Sequence, residues 1–290
     1  MNECAPGRYD KNYNTCFSIE QLIEMAKAYN TYIRKNRSFF NLEPIDVKKD
    51  KGYLLNQFKN RFDKVCSDDE ACISRQEFMN QIVKEMKYDI LNNTFRPEGP
   101  VSSNEWLSTD HINQIMMQYE NIYPEFKFLG AVPSNCDKLN FCSLYQIDYH
   151  KYQHKYNYLA IIFNLDEYGQ SGSHWVALFI DLKRKAIYYN DSTGKEPINN
   201  ILNVINRFKH YYKERGFDVV YKYNNRAYQK DKSECGIYSC NFIIRMLDGQ
   251  SFEEIIANPL EFHQINSCRN VYFRNKSSQY SPDNRCDIKF

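Results

Sequence analysis

A 290-residue chain of α+β class, with an extra helical region at its N-terminus, is what the sequence predicts. Three observations predict it. Up to about residue 100 the apolar residues recur at helical spacing. Beyond that point, short β-branched and aromatic runs bounded by turn residues take over. Several of those runs are apolar at both parities, as strands covered on both faces must be. The order helix, strands, helix, strand, helix then favours a sheet flanked by helices. A composition of 42% hydrophobic and 26% charged residues suits a folded chain.

In chain order, "SIEQLIEMAKAYNTYI" opens on Ser18 and Gln21, a capping-box pair, and carries Leu22, Ala26, Tyr29 and Ile33 as one stripe. "YLLNQFKNRF" repeats the pattern with Leu54, Leu55, Phe58 and Phe62. "SRQEFMNQIVKEM" reads as another helix, with Ser74 and Glu77 as a second capping box. Pro97, Gly99, Pro100, Ser102 and Ser103 then cluster as a linker signal. The division is therefore expected near residue 100, with 1–100 a helical N-terminal arm and 101–290 the second domain. There, "STDHINQIMMQYENIYP" is a helix with Ile112, Ile115, Met116 and Tyr119 on one face. "FKFLGAV", "YLAIIFNL", "HWVALFI", "AIYYN" and "DVVYKY" are the expected strands. Between the last two lies a helix beginning at Pro197 and stopping at Gly216, and a final helix runs from "CGIYSC" to Gly249.

Bulk properties exclude several classes. A net charge of +2 gives no strong attraction to nucleic acid or membrane. Residues 267–290 are locally basic, five cations against two carboxylates, and read as a solvated tail. The longest apolar runs, "YLAIIF" and "WVALFI", have six residues each, whereas a membrane span needs about 20. No positively charged segment followed by an apolar run opens the chain, so a soluble, intracellular protein is expected. In a reducing compartment most of the ten cysteines should be free thiols packed as small hydrophobes. The closest pairs, Cys66/Cys72, Cys136/Cys142 and Cys235/Cys240, lack zinc-ligand spacing. His150 and His154 form an HxxxH pair without the glutamate of a zinc peptidase, so no metal is expected.

The chemistry concentrates in two stretches. In "HWVALFIDLKRKAIYYND", a hairpin turn centred between Leu182 and Lys183 would set His174 directly opposite Asp191, with Cβ atoms about 4.5–5.5 Å apart. In "YQKDKSECGIYSC", a polar loop runs into an apolar-striped helix with Cys235 in its first turn. A helix N-terminus favours a thiolate over a thiol. Gly236 leaves the backbone beside the sulfur open, and Gln229 could add an amide donor for an oxyanion. Nucleophile, imidazole and orienting carboxylate are the parts of a cysteine nucleophile system. Cys240 falls about 140° around the helix from Cys235, on the apolar stripe, and reads as packing.

His-Trp, an Asp 17 residues on in "YYNDS", and Gln and Cys six apart in "QKDKSECGIY" together resemble the adenain/SUMO-protease superfamily of cysteine peptidases. The resemblance covers about residues 100–265 and includes "EWLSTDHI", similar to the helix that opens their catalytic domain. "CAPG…CFSIEQLIEMAKAYN" and "KFLGAVP" look most like the thiol proteases of large nucleocytoplasmic DNA viruses. Two features depart from the pattern: Glu234 stands where the usual motif has Asp before the Cys, and region 1–100 has no counterpart in compact members. The resemblance implies a papain-like fold of the adenain/SUMO-protease type, a central mixed sheet flanked by helices. It implies Cys235 as nucleophile, His174 as base and acid, Asp191 as its orienter, and Gln229 in the oxyanion hole. Trp175 and Gly236 would line a substrate channel that favours small residues before the scissile bond. The expected substrates are protein: viral capsid or core precursors cleaved during virion maturation, with no cofactor, no membrane and no indicated nucleic acid. The same chemistry would serve a SUMO- or ubiquitin-like isopeptidase or an acyltransferase. A docking module beside an inactive protease fold is the non-enzymatic alternative.

Overall fold

A computed structural model describes residues 4, 15–36, 42–101, 105–274 and 286. The chain divides into two compact units, the first ending at Arg96 and the second beginning at Pro97.

In the first unit α1 (Ile19–Lys35) starts as its sequence requires. Ser18 accepts from the Gln21 N–H and the Gln21 side chain returns to the Ser18 N–H. Helices α2 (Lys51–Cys66), α3 (Glu70–Ile73) and α4 (Lys84–Asn93) follow. Leu22, Met25 and Tyr29 bury against Leu54, Leu55, Phe58 and Phe78. The helix expected over 74–86 does not form. Ser74 closes α3 with helical backbone angles (φ −66°, ψ −11°) rather than the extended ones of an N-cap, and its hydroxyl donates backwards to Ala71 O at 2.8 Å. A 3₁₀ turn at Glu77–Gln81 instead places Phe78 among the rings of Tyr29, Phe58 and Phe62.

The second unit is built on a five-stranded mixed sheet of order β1-β2-β3-β4-β5. Its strands are β1 (Phe126–Pro133), β2 (Tyr158–Asn164), β3 (Trp175–Asp181), β4 (Ala186–Asn190) and β5 (Val220–Tyr223). β2, β3 and β4 are antiparallel, while β1 joins β2 and β5 joins β4 in parallel. Helix α5 (Thr109–Ile122) precedes β1, the short α6 (Tyr149–Gln153) precedes β2, and α7 (Asn199–Lys213) carries the β4–β5 crossover. After β5 come α8 (Cys235–Leu247), α9 (Phe252–Ala257) and α10 (Phe262–Tyr272). The two parities of β3 explain its uniform apolarity. Trp175, Ala177 and Phe179 face the core shared with α5 and α8, and Val176, Leu178 and Ile180 face the core shared with α7. Each aliphatic side chain so enclosed contributes about 1.5–3 kcal/mol. Helix α8 is buried almost all round, as a central helix with an apolar sequence must be.

Several expectations need correcting. The β3–β4 turn lies one residue later than expected: Asp181 pairs with Ala186 and Ile180 with Ile187, and Lys185 takes the left-handed conformation, φ 52°, that closes it. The partner of each strand residue thereby shifts by two, which preserves the face. Helix α7 starts later than Pro197, with Ile198 as its cap, and Gly216 (φ 78°) lies past the capping Glu214. The basic C-terminal stretch is not a solvated tail over its described part. α10 buries Cys268, Arg269, Val271 and Tyr272, and Arg269 spends its N–H groups on Pro100 O (3.1 Å), Glu105 O (2.7 Å) and Asn266 Oδ1 (3.0 Å). Nor are the cysteines mostly free thiols. Disulfides join Cys4 to Cys16, Cys66 to Cys72, Cys136 to Cys142 and Cys268 to Cys286. Chain reversals over a sequence separation of six bring Cys66 and Cys72 to a Cα separation of 5.4 Å and Cys136 and Cys142 to 5.5 Å, within bonding range. Only Cys235 and Cys240 remain unpaired. Among the described residues no helix is long and apolar enough to cross a membrane.

Candidate active site

His174 is the last residue of the loop joining β2 to β3, and its carbonyl closes that loop by accepting from Leu165 N at 2.9 Å. Asp191 follows β4 on the neighbouring antiparallel strand. In the observed register these two residues are diagonal rather than opposed, yet the imidazole spans the offset: His174 Nε2 lies 2.7 Å from Asp191 Oδ1. The turn "DSTG" holds the carboxylate. Asp191 Oδ1 also accepts from the Thr193 N–H and hydroxyl, each at 2.8 Å, and Asp191 O accepts from Gly194 N. Asn224, fully buried just after β5, donates to the same carbonyl at 2.7 Å and fixes the turn from behind. Sequence reasoning missed Asn224, since a lone Asn after a strand carries no chemical signature. Burial of Asp191 works against its ionised form, but the hydrogen bonds from His174 and Thr193 outweigh this and hold the carboxyl below its usual range.

Cys235 is the first residue of α8 and is buried. Burial disfavours a charged His174. The hydrogen bond to Asp191, and then the hydrogen bond and charge of Cys235, reverse that effect and raise the imidazole to about 9. With Nε2 engaged by Asp191, Nδ1 is the ring nitrogen left for the sulfur. The imidazolium therefore sits between carboxylate and sulfur at neutral pH. Five residues on, Cys240 is enclosed by apolar neighbours, and burial pushes its thiol far up. The residue before Cys235, Glu234, is fully buried and accepts from Ser233 Oγ.

Gln229 lies on the loop between β5 and α8. Its N–H donates to Ser192 O (3.0 Å), its Oε1 accepts from Ser192 Oγ (2.5 Å), and its Nε2 donates to Asp231 O (2.5 Å). The amide is thus anchored beside the Asp191 turn, and among the described residues one Nε2 hydrogen is uncommitted. A groove of about 540 Å³ runs between the 106–109 segment and the β2–β3 loop, with Trp106, Leu107, Asp166, Tyr168 and Trp175 among its walls. Trp175 is locked in place, its indole donating to Leu107 O at 2.9 Å. Gly236 does not line this groove. A Cβ there would lie 3.0 Å from Leu107 Cβ, so the missing side chain makes room for the 105–108 segment against the first turn of α8. Leu107 thus touches both Trp175 and Gly236, a role its place in "EWLSTDHI" did not show. His150 and His154 are exposed, with Nε2 atoms 3.3 Å apart. No group of three or more metal-ligand side chains occurs among the described residues.

Comparison with known proteins agrees with this architecture. Residues 150–280 match the Ulp1 protease family, C-terminal catalytic domain. Over 296 aligned residues, covering 99% of this chain and 98% of its relative, the sequence is 56% identical to a protein of Acanthamoeba polyphaga mimivirus named for a thiol protease. A SUMO-1 cysteine protease of African swine fever virus is 21% identical over 76% of this chain and 88% of its own length. The crystal structure of the African swine fever virus protease shares the fold, with a TM-score of 0.67 at 18% identity over 94% of this chain and 97% of that one. The chain belongs to the Ulp1 family of cysteine proteases.

Proposed function

From membership in that family of cysteine proteases, we propose that the chain is an endopeptidase using Cys235, His174 and Asp191. The observation that carries the reading is the 2.7 Å His174–Asp191 contact beside an unpaired thiol at a helix N-terminus. The Cys235 thiolate attacks the scissile carbonyl, and the developing oxyanion takes the Cys235 N–H and the free Gln229 amide hydrogen. The His174 imidazolium protonates the departing amine as the tetrahedral intermediate collapses to a thioester. His174, now neutral, removes a proton from water, which attacks the thioester and frees Cys235. Asp191 keeps the ring oriented through both halves. Trp175 walls the groove and restricts it to small residues before the scissile bond, of Gly-X type.

The substrates are viral capsid or core precursor proteins cut during virion maturation. The near-complete alignment with a mimivirus relative at 56% identity supports a viral setting. A second reading, removal of a SUMO- or ubiquitin-like protein from its conjugates, is favoured by the name of the African swine fever virus relative. Incubating wild type and Cys235→Ala with virion precursor proteins and with SUMO and ubiquitin conjugates, then mapping new termini, separates the two. The endopeptidase reading expects new termini in precursors from wild type only. Cleavage confined to conjugates would replace it with deconjugation, and equal cleavage by Cys235→Ala would remove the mechanism.

A further inference from the structure

The ten-residue connection between β2 and β3 ends at His174 and also walls the groove. One backbone bond, from Leu165 N to His174 O at 2.9 Å, ties the two ends of this connection. Two polar side chains at its start also reach across to its end. Asn164 Oδ1 accepts from Asp166 N at 3.0 Å and from Ser173 N at 3.2 Å. Asp166 Oδ2 accepts from Gly172 N at 3.0 Å, and Asp166 Oδ1 accepts from Ser173 Oγ at 2.7 Å. The carbonyl of Asp166 is itself held by Ser134 N at 3.0 Å. Gly172 is required by this closure: its φ is +86°, and a Cβ would lie 2.9 Å from Asn164 Nδ2.

We propose that Asn164 and Asp166 are positioning residues for His174, clamping residues 172 and 173 so that the imidazole enters the space between Asp191 and Cys235. This rests on the reading of His174 as the base. Asp191 orients the ring but does not fix where its backbone emerges. The clamp and the Leu165 N–His174 O bond together fix that point: the backbone bond holds the carbonyl side of His174, and residue 173, bonded through both its N–H and its hydroxyl, holds its amide side. A misplacement of about 1 Å in such a group can cost about 100-fold in rate.

The test uses the full chain and a peptide cleaved by wild type. Asp166→Ala is expected to lower kcat by about 10- to 100-fold with KM within about 2-fold, and to slow iodoacetamide modification of Cys235 at neutral pH in parallel. Ser173→Ala, at an exposed residue, removes one bond of the clamp and should lower kcat by about 3- to 10-fold, which decides the matter if Asp166→Ala fails to fold. Wild-type kcat and wild-type modification rates in the folded variants would overturn the proposal. A rise in KM with kcat unchanged would also overturn it, assigning the loop to substrate binding alone. His174→Ala run alongside separates the levels: if it cleaves normally, the assignment of the base has failed rather than the clamp.

Discussion

Helix α8 carries two unpaired cysteines five residues apart, and the two places could hardly differ more. At its first residue, Cys235 meets the unbonded N–H groups of a helix start and the His174 imidazole, which bonds to Asp191. One turn and a half deeper, Cys240 is packed inside the buried core, and burial drives its thiol away from ionisation. Residue type and burial are shared, so neither sets the proposed nucleophile apart. The charged neighbours and the open end of the helix do.

The largest expected effect lies at the first position. Cys235→Ala should reduce turnover by at least about 10⁴-fold, measured with a peptide substrate, because no other group can form the thioester. Wild-type turnover in that variant would erase the distinction between the two sites. Asp191→Ala should follow, with a loss of about 10³- to 10⁴-fold in kcat and weak residual activity from the remaining thiol and donors. Retention of full rate would mean that the 2.7 Å contact orients nothing.

A pH–rate profile sharpens the comparison further. The His174 pKa is raised above its ordinary value to about 9, so the imidazolium is present below that point and lost above it. The kcat/KM profile should therefore fall on its alkaline side near pH 9, and in His174→Ala that limb should vanish. A limb near 6.5, the ordinary imidazole value, would show that Asp191 and Cys235 do not hold the charge. The smallest effect belongs to Cys240→Ala, with activity within about 2-fold and a loss of about 1 kcal/mol, seen as a fall in Tm of about 2–4 °C.

Much of this difference was legible in the sequence, and the reasons are local. The capping box at Ser18, the double-parity apolar run of β3 and the stripe of α8 each fix an element through contacts a few residues apart. The meeting of His174 with Asp191 was readable because both stand at the open ends of neighbouring strands, and the place of Cys235 at the start of α8 because a polar loop runs into an apolar stripe there. What escaped depends on how the chain returns on itself. The disulfides depend on turns that bring Cys136 to Cys142 and on the path from Cys268 to Cys286, not on spacing alone. The two-residue change of register arose from where Lys185 takes a left-handed conformation. Asn224 and Arg269 act through backbone carbonyls far away in sequence, so no motif contains them.

Limited iodoacetamide modification of the native chain at neutral pH, mapped by peptide mass spectrometry in wild type and His174→Ala, addresses the Cys235–His174 assignment most directly. The expected result is a single adduct on Cys235, none on Cys240, and much slower formation in His174→Ala. An adduct on Cys240, or equal rates on Cys235 with and without the imidazole, would contradict it.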